Sequence, residues 1–321
     1  MKIAWLFPGQ GSQAVGMARD VLEASAAARA IFERADAALS DLRSAPQPLS
    51  RLILEGPEAD LTLTANAQPA LVATSNALLA ALLERAPRLP APAFAAGHSL
   101  GEYSALVAAG ALSLEDAVRL VHVRGRAMQE AVPAGLGAMS AVMGISSERL
   151  LALCAEAAQG EVVAPANFNA PGQIVVAGHA GAVARLGVLA SAEKGSRVIP
   201  LKVSAPFHCA LMAPAARVVA SELERVPIAA PRIPVVANVD AAPNADPGRV
   251  KDLLIRQIDG PVRWEETVQF LASSGVTHAV EIGPGKVLAG LAKRIAKDLK
   301  VISVGDVASL DAAAALATEL A

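Results

Sequence analysis

A serine set between two glycines, Gly97-x-Ser99-x-Gly101, lies between a short apolar run and a segment with helical character. A strand, a sharp turn and a helix in that order lift a serine hydroxyl out at the end of a sheet. The turn demands small neighbours, and glycine tolerates φ > 0. The helix start then offers unpaired backbone N–H groups, that of Leu100 first among them, to a developing oxyanion. The competing reading is a serine that merely caps a helix. A serine nucleophile needs a base, and the chain has five histidines. His98 adjoins Ser99 on a tight turn that aims its ring elsewhere. His122 lies in a helical pattern, His179 in a short-segment region and His278 in a strand pattern. His208 sits in the loop Ser204-Ala205-Pro206-Phe207-His208-Cys209 and stays one candidate among the five.

A cation on an apolar helix face is a second anomaly. Val118, Val121 and Met128 mark the buried face of a helix over 114–131, and Arg124 falls on that face. A buried guanidinium is costly unless it meets an anion. Snorkelling, an internal carboxylate and the carboxylate of a ligand gripped bidentately all satisfy it, and periodicity leaves them open.

The elements that must carry these groups alternate. A strand over 2–7 ends at the loop Pro8-Gly9-Gln10-Gly11-Ser12-Gln13, and helical patterns follow over 17–40 and 66–84. A strand over 93–96 leads into Ser99 and a helix over 102–109. Ser113 and Asp116 then cap the helix over 114–131. Such alternation predicts a mostly parallel sheet with helices on its faces. From Pro133 the segments shorten: strand 137–143, helix 147–158, strand 162–168, a turn over 169–172, strand 173–177, helix 180–194 and strand 197–201. That is the split βαβ order of a ferredoxin-like unit. The expected fold is α/β: an α/β-hydrolase-like large domain over 1–131 and 204–321, with an inserted ferredoxin-like small domain over 132–203. Strands over 235–238 and 277–282 and a helix over 287–299 complete the large domain.

Composition narrows the function classes. The chain has 321 residues, a net charge of −2 and 3% aromatics, so neither a basic nucleic-acid footprint nor a stacking platform is expected. Hydrophobic residues make up 54%, which excludes disorder as the main state and implies a core of Ala, Leu, Val and Ile. Cys154 and Cys209 form neither a disulfide framework nor a metal motif, and the histidines lack metal-ligand spacing. The first ten residues do not read as a signal peptide, and no apolar run is long enough to cross a bilayer, so a cytoplasmic protein is expected. Gly9-x-Gly11 and Gly283-Pro284-Gly285-Lys286 complete neither nucleotide-binding pattern. Lys293, Arg294, Lys297 and Lys300 give the last helix a basic stretch, either a solvated face or a dock for an acidic partner.

Several strings, taken in order, resemble the malonyl-CoA:acyl carrier protein transacylases. They are Phe7-Pro8-Gly9-Gln10-Gly11-Ser12-Gln13, Gln68-Pro69-Ala70-Leu71 and Gly97-His98-Ser99-Leu100-Gly101-Glu102-Tyr103-Ser104. Val123-Arg124-Gly125-Arg126, Asn167-Phe168-Asn169-Ala170-Pro171-Gly172-Gln173, Phe207-His208, Asn238-Val239-Asp240 and Glu281-Ile282-Gly283-Pro284-Gly285 follow. The resemblance implies that Ser99 carries the acyl group as an ester, with His208 as base and then acid. It implies that the amides of Gln10 and Leu100 form the oxyanion hole and that Arg124 pairs with the malonyl carboxylate. Gln257 resembles the position whose backbone carbonyl orients the histidine in a Ser–His dyad. Phe207 matches a position where phenylalanine accompanies malonyl rather than methylmalonyl preference in related polyketide acyltransferases. The implied partners are malonyl-CoA and acyl carrier protein, with no cofactor, nucleic acid or membrane, acting as a monomer in fatty-acid synthesis. A serine thioesterase, a non-catalytic acyl-binding subunit, and service in a polyketide or malonate-decarboxylase system are the alternatives.

Overall fold

A computed structural model describes residues 2–42, 47–203 and 205–320. Residues 1, 204 and 321, at the bounds of the expected large domain, lie outside the described residues. Among the described residues ten strands form two sheets: β1 (Lys2–Phe7), β2 (Phe94–Gly97), β3 (Gly137–Met143), β4 (Val163–Ala170), β5 (Gln173–His179), β6 (Arg197–Pro200), β7 (Val235–Val236), β8 (Pro243–Asn244), β9 (Val276–Ile282) and β10 (Lys300–Val304).

The larger sheet runs β10-β9-β1-β2-β7-β8 and is parallel except for the β7–β8 edge pair. Its central strand β1 is an unbroken apolar run buried from Ile3 to Phe7, as a strand covered on both faces must be. Register places Phe7 beside Gly97, so the loops after β1 and β2 leave the sheet together at its carboxyl edge. Clefts form outside that edge in α/β sheets. The helix Thr64–Arg85 lies against this sheet and is buried almost all round, which its small and aliphatic residues allow. Among the described residues the core is dominated by alanine, leucine and valine, with isoleucine in support.

The smaller sheet runs β4-β5-β3-β6 with every neighbouring pair antiparallel. Helices Ser147–Ala158 and Ala180–Ser191 cover one face. Val262 joins it to the larger unit: its N–H donates to Ala166 O at 2.8 Å, and its carbonyl accepts from Phe168 N at 2.9 Å.

Several elements differ from expectation. The helix expected over 17–40 is two, Arg19–Ala24 and Ala26–Leu39, because the Ser25 hydroxyl accepts from Ala28 N and caps the second. β4 extends through Asn169 and Ala170, which were expected in the turn. The helix expected over 287–299 stops at Ile295, so Lys297 lies in a turn and Lys300 opens β10. There is no continuous basic helix over 293–300, and Arg294 is spent on Gln173 Oε1 and Pro171 O. Helices Leu49–Glu55, Glu58–Thr62, Ala213–Glu224, Pro247–Asp259, Trp264–Ser273 and Val307–Leu320 were not foreseen.

Candidate active site

Ser99 stands between the end of β2 and the helix Gly101–Ala108 with φ at 52°, in the left-handed region. Both glycines of the elbow are required by space. A Cβ on Gly97 would come within 1.9 Å of Gly101 backbone atoms, and one on Gly101 within 2.2 Å of Phe7 O. Asn238, just after β7, fastens the elbow: its Oδ1 accepts from Ser99 N at 2.7 Å and its Nδ2 donates to Gly97 O at 2.7 Å.

His208, in the loop before the helix Ala213–Glu224, is buried, also with positive φ, and its Nε2 lies 2.7 Å from Ser99 Oγ. Its Nδ1 lies 2.9 Å from the Gln257 carbonyl, so Nδ1 carries the proton and Nε2 offers its lone pair to the serine. The local reason is in the chain. Gln257 lies in the last turn of the helix Pro247–Asp259, and the residue four ahead is Pro261, which has no N–H to claim that carbonyl. Burial, and then the nearby Arg124 cation, press the His208 pKa down to about 3, so the imidazole is neutral at neutral pH.

Arg124 reaches the same point from the helix Leu114–Glu130. Gly125 beside it lets that helix approach Thr64–Arg85 closely: a Cβ there would meet Thr64 O at 2.5 Å. Arg124 is 1% exposed. Nη1 donates to Gln68 Oε1 at 2.7 Å, and Nη2 to Ser99 Oγ at 3.1 Å and Gln257 Oε1 at 3.0 Å. Nε has no partner among the described residues. The Tyr103 ring lies 5.6 Å from the guanidinium carbon. Among the described residues no carboxylate makes an ion pair with Arg124, which removes the direct internal pair as its explanation. Burial pulls its pKa below the ordinary range, against the pull of Tyr103 and Glu102.

These groups open on a cleft of about 320 Å³ between the two sheets. Gln10, Gln68, Ser99, Arg124, Phe207 and His208 line it from the large-sheet side, Met139, Asn167, Asn169 and Val175 from the other. Leu100 and Gln257 lie behind that lining. Among the described residues neither the Gln10 nor the Leu100 backbone N–H has a hydrogen-bond partner, while the Gln10 side chain holds Thr64 Oγ1 at 3.1 Å. The cleft therefore joins a serine paired to a neutral imidazole, the spare amide of Gln10 and a buried cation, with the spare amide of Leu100 directly after the serine. That set suits acyl transfer of a group ending in an anion.

The other histidines separate from the pair. His122 Nδ1 donates to Ala65 O, a carbonyl freed because Pro69 lacks an N–H. His179 Nδ1 accepts from Val162 N, and His278 lies on β9. His98 does line the cleft: its Nε2 meets Asn169 Oδ1 at 2.8 Å across the two sheets, and its ring packs on Trp264. Sequence reasoning missed three residues. Gln68 appeared only in a string, Asn238 carried no role, and Glu102 is a fully buried acid in the first turn after the elbow. An acid one turn after a nucleophile reads as an ordinary helix-dipole partner, so only Pro261 gave a local signal that something would use the Gln257 carbonyl.

The acyl transferase domain family matches residues 4–315. A malonyl CoA-acyl carrier protein transacylase of Escherichia coli K12 is 46% identical over 312 residues, 97% of this chain and 98% of that protein. One of Bacillus subtilis 168 is 47% identical over 313 residues, 97% of this chain and 96% of that protein. The crystal structure of an acyl carrier protein S-malonyltransferase from Vibrio cholerae is 50% identical with a TM-score of 0.92, covering 97% of this chain and 99% of that one. A malonyl-transacylase in complex with its type II PKS acyl-carrier protein is 45% identical with a TM-score of 0.93, covering 98% and 100%.

Proposed function

This chain belongs to the acyl transferase family, among the malonyl CoA-acyl carrier protein transacylases, and we propose that it moves malonyl from malonyl-CoA to the phosphopantetheine thiol of acyl carrier protein for fatty-acid synthesis. The observation that carries this reading is the convergence on Ser99 Oγ of His208 Nε2 at 2.7 Å and Arg124 Nη2 at 3.1 Å. The donor carboxylate pairs with Arg124, displacing it from the serine hydroxyl, and the thioester carbonyl oxygen takes the amides of Gln10 and Leu100. Ser99 Oγ bonds to the carbonyl carbon as its proton passes to His208 Nε2. The C–S bond then breaks and that proton leaves with the CoA thiol. The carrier thiol reverses the steps, giving ping-pong kinetics and regenerating the serine. The Gln257 carbonyl steadies the imidazole through both halves, in place of a triad carboxylate. The chemistry uses the thioester and these side chains alone, without a cofactor.

Phe207, 8% exposed and on the cleft wall, restricts room beside the acyl α-carbon and so favours malonyl over methylmalonyl. The smaller sheet over 132–203 is read as an inserted ferredoxin-like domain, supported by its strand order and its antiparallel pairing throughout. A cytoplasmic monomer fits a carrier-protein partner, and no helix among the described residues is long and apolar enough to cross a membrane. The test is intact-protein mass spectrometry with malonyl-CoA. Wild type gains one malonyl mass, released by a carrier thiol faster than by water, and Ser99→Ala gains none. An adduct in Ser99→Ala, or loss to water at the thiol's rate, overturns the assignment.

A further inference from the structure

Among the described residues Arg124 is buried without a direct anion, which elementary electrostatics disfavours. The buried carboxylate of Glu102 lies one amide away, across the Gln257 side chain. Glu102 Oε2 accepts from Gln257 Nε2 at 2.8 Å and from Asn238 N at 3.0 Å, while Gln257 Oε1 accepts from Arg124 Nη2 at 3.0 Å. The orientation of that amide is settled by its surroundings. Nε2 faces Ser99 O, Glu102 Oε2 and Asn238 Oδ1, all acceptors, and Oε1 faces a guanidinium, which only donates. The Gln257 dipole therefore lies along the line from cation to carboxylate.

We propose that Glu102 is the standing counter-charge of Arg124: through Gln257 it balances the guanidinium while the cleft is empty, and it is set against the donor's own carboxylate when that arrives. This rests on the reading that Arg124 takes the malonyl carboxylate. Two anions then flank one buried cation, and the arrangement is relieved when Glu102 takes up a proton. Burial already raises the Glu102 pKa to about 7, against the opposing pull of its hydrogen bonds and of Arg124. The arriving anion raises it further. The charged and titratable groups that face it are Arg124, Tyr103, whose pKa burial pushes up to about 12, and Asp240, itself paired with Arg249 and Arg256. His208 is neutral throughout the neutral range. Glu102 is thus the group near Arg124 that changes charge around pH 7, and it tunes donor affinity without touching the donor.

The experiment compares the KM for malonyl-CoA and for acetyl-CoA, with purified acyl carrier protein as acceptor, at about pH 6 and about pH 8.5. In wild type the malonyl-CoA KM rises severalfold toward the higher pH and the acetyl-CoA KM does not. The CoA phosphates titrate alike in both donors and cancel. Glu102→Gln keeps an acceptor oxygen for Gln257 and Asn238 but removes the charge. Its malonyl-CoA KM at the higher pH falls below wild type by about tenfold and loses its pH dependence. Tighter donor binding is a result that structural damage does not produce. Equal pH dependence for both donors in wild type overturns the proposal even if the variant fails to fold, as does a malonyl-CoA KM in Glu102→Gln that is unchanged or raised. Arg124→Ala separates the two readings: if it loses malonyl and acetyl transfer alike, the carboxylate assignment of Arg124 is what has failed.

Discussion

The Gln257 carbonyl oxygen lies 2.9 Å from His208 Nδ1 because Pro261, four residues on, has no N–H to occupy it. A helix end that would otherwise leave an orphan acceptor thus supplies the partner that fixes the imidazole tautomer. The same residue uses its side chain on Arg124, so base orientation and cation placement depend on one position.

Arg124→Ala removes the cation that an incoming carboxylate would meet. Losing one partner of a buried pair costs about 3–5 kcal/mol, so malonyl transfer falls about a hundredfold or more while acetyl transfer is spared. Competition between malonyl-CoA and acetyl-CoA for the serine, read by adduct mass, measures the ratio. An unchanged ratio would show that Arg124 acts only in packing.

Gly101→Ala drives a methyl group into Phe7 O and shifts the elbow against β1. Backbone cannot swing aside as a long side chain does, so a loss of about 3 kcal/mol or more is expected. Thermal unfolding should show a clearly lower midpoint. A variant as stable as wild type would mean the elbow is looser than its contacts imply.

His208 makes the fold sensitive to acid. Its pKa is held at about 3, below the ordinary 6.5, chiefly by burial. Between those values the unfolded chain binds a proton that the folded one refuses. The associated stability is present above about pH 6.5 and is lost as pH falls toward 3. His208→Gln lacks this loss, so its unfolding midpoint should decline less steeply with acid than that of wild type. Parallel curves would place the acid sensitivity elsewhere.

Phe207→Ser removes a ring from the cleft wall. Methylmalonyl-CoA should gain on malonyl-CoA by about tenfold, since one methyl group in a pocket is worth about 1–3 kcal/mol. Paired transfer assays with both donors decide it. A fixed preference would assign Phe207 to the core alone.

Most of the positioning framework was legible because its signals are local. The strand Lys2–Phe7 is an apolar run closed by Pro8, and the helix Ser147–Ala158 starts at a serine cap, so both were read to the residue. Arg124 announced itself by breaking an apolar face. The helices Ala213–Glu224, Pro247–Asp259 and Trp264–Ser273 went unread: proline interrupts a helix interior, yet Pro214 and Pro247 each occupy a helix start, where the missing N–H costs nothing. Glu102 and Asn238 were invisible for another reason. Their meaning lies in contacts between groups more than a hundred residues apart, which no periodicity encodes. The His98 ring was read as aimed away from Ser99, and the turn does send it across the cleft to Asn169, a destination that no local pattern names.

Val262 exchanges two backbone hydrogen bonds with β4, and Arg294 reaches the turn at Pro171, so the smaller sheet is sewn to the larger unit beside the cleft. Neither sheet can melt without stripping partners from the other, which favours a single calorimetric transition. The same stitches tie the two walls of the gap to each other, so any hinged widening of it must first break backbone hydrogen bonds.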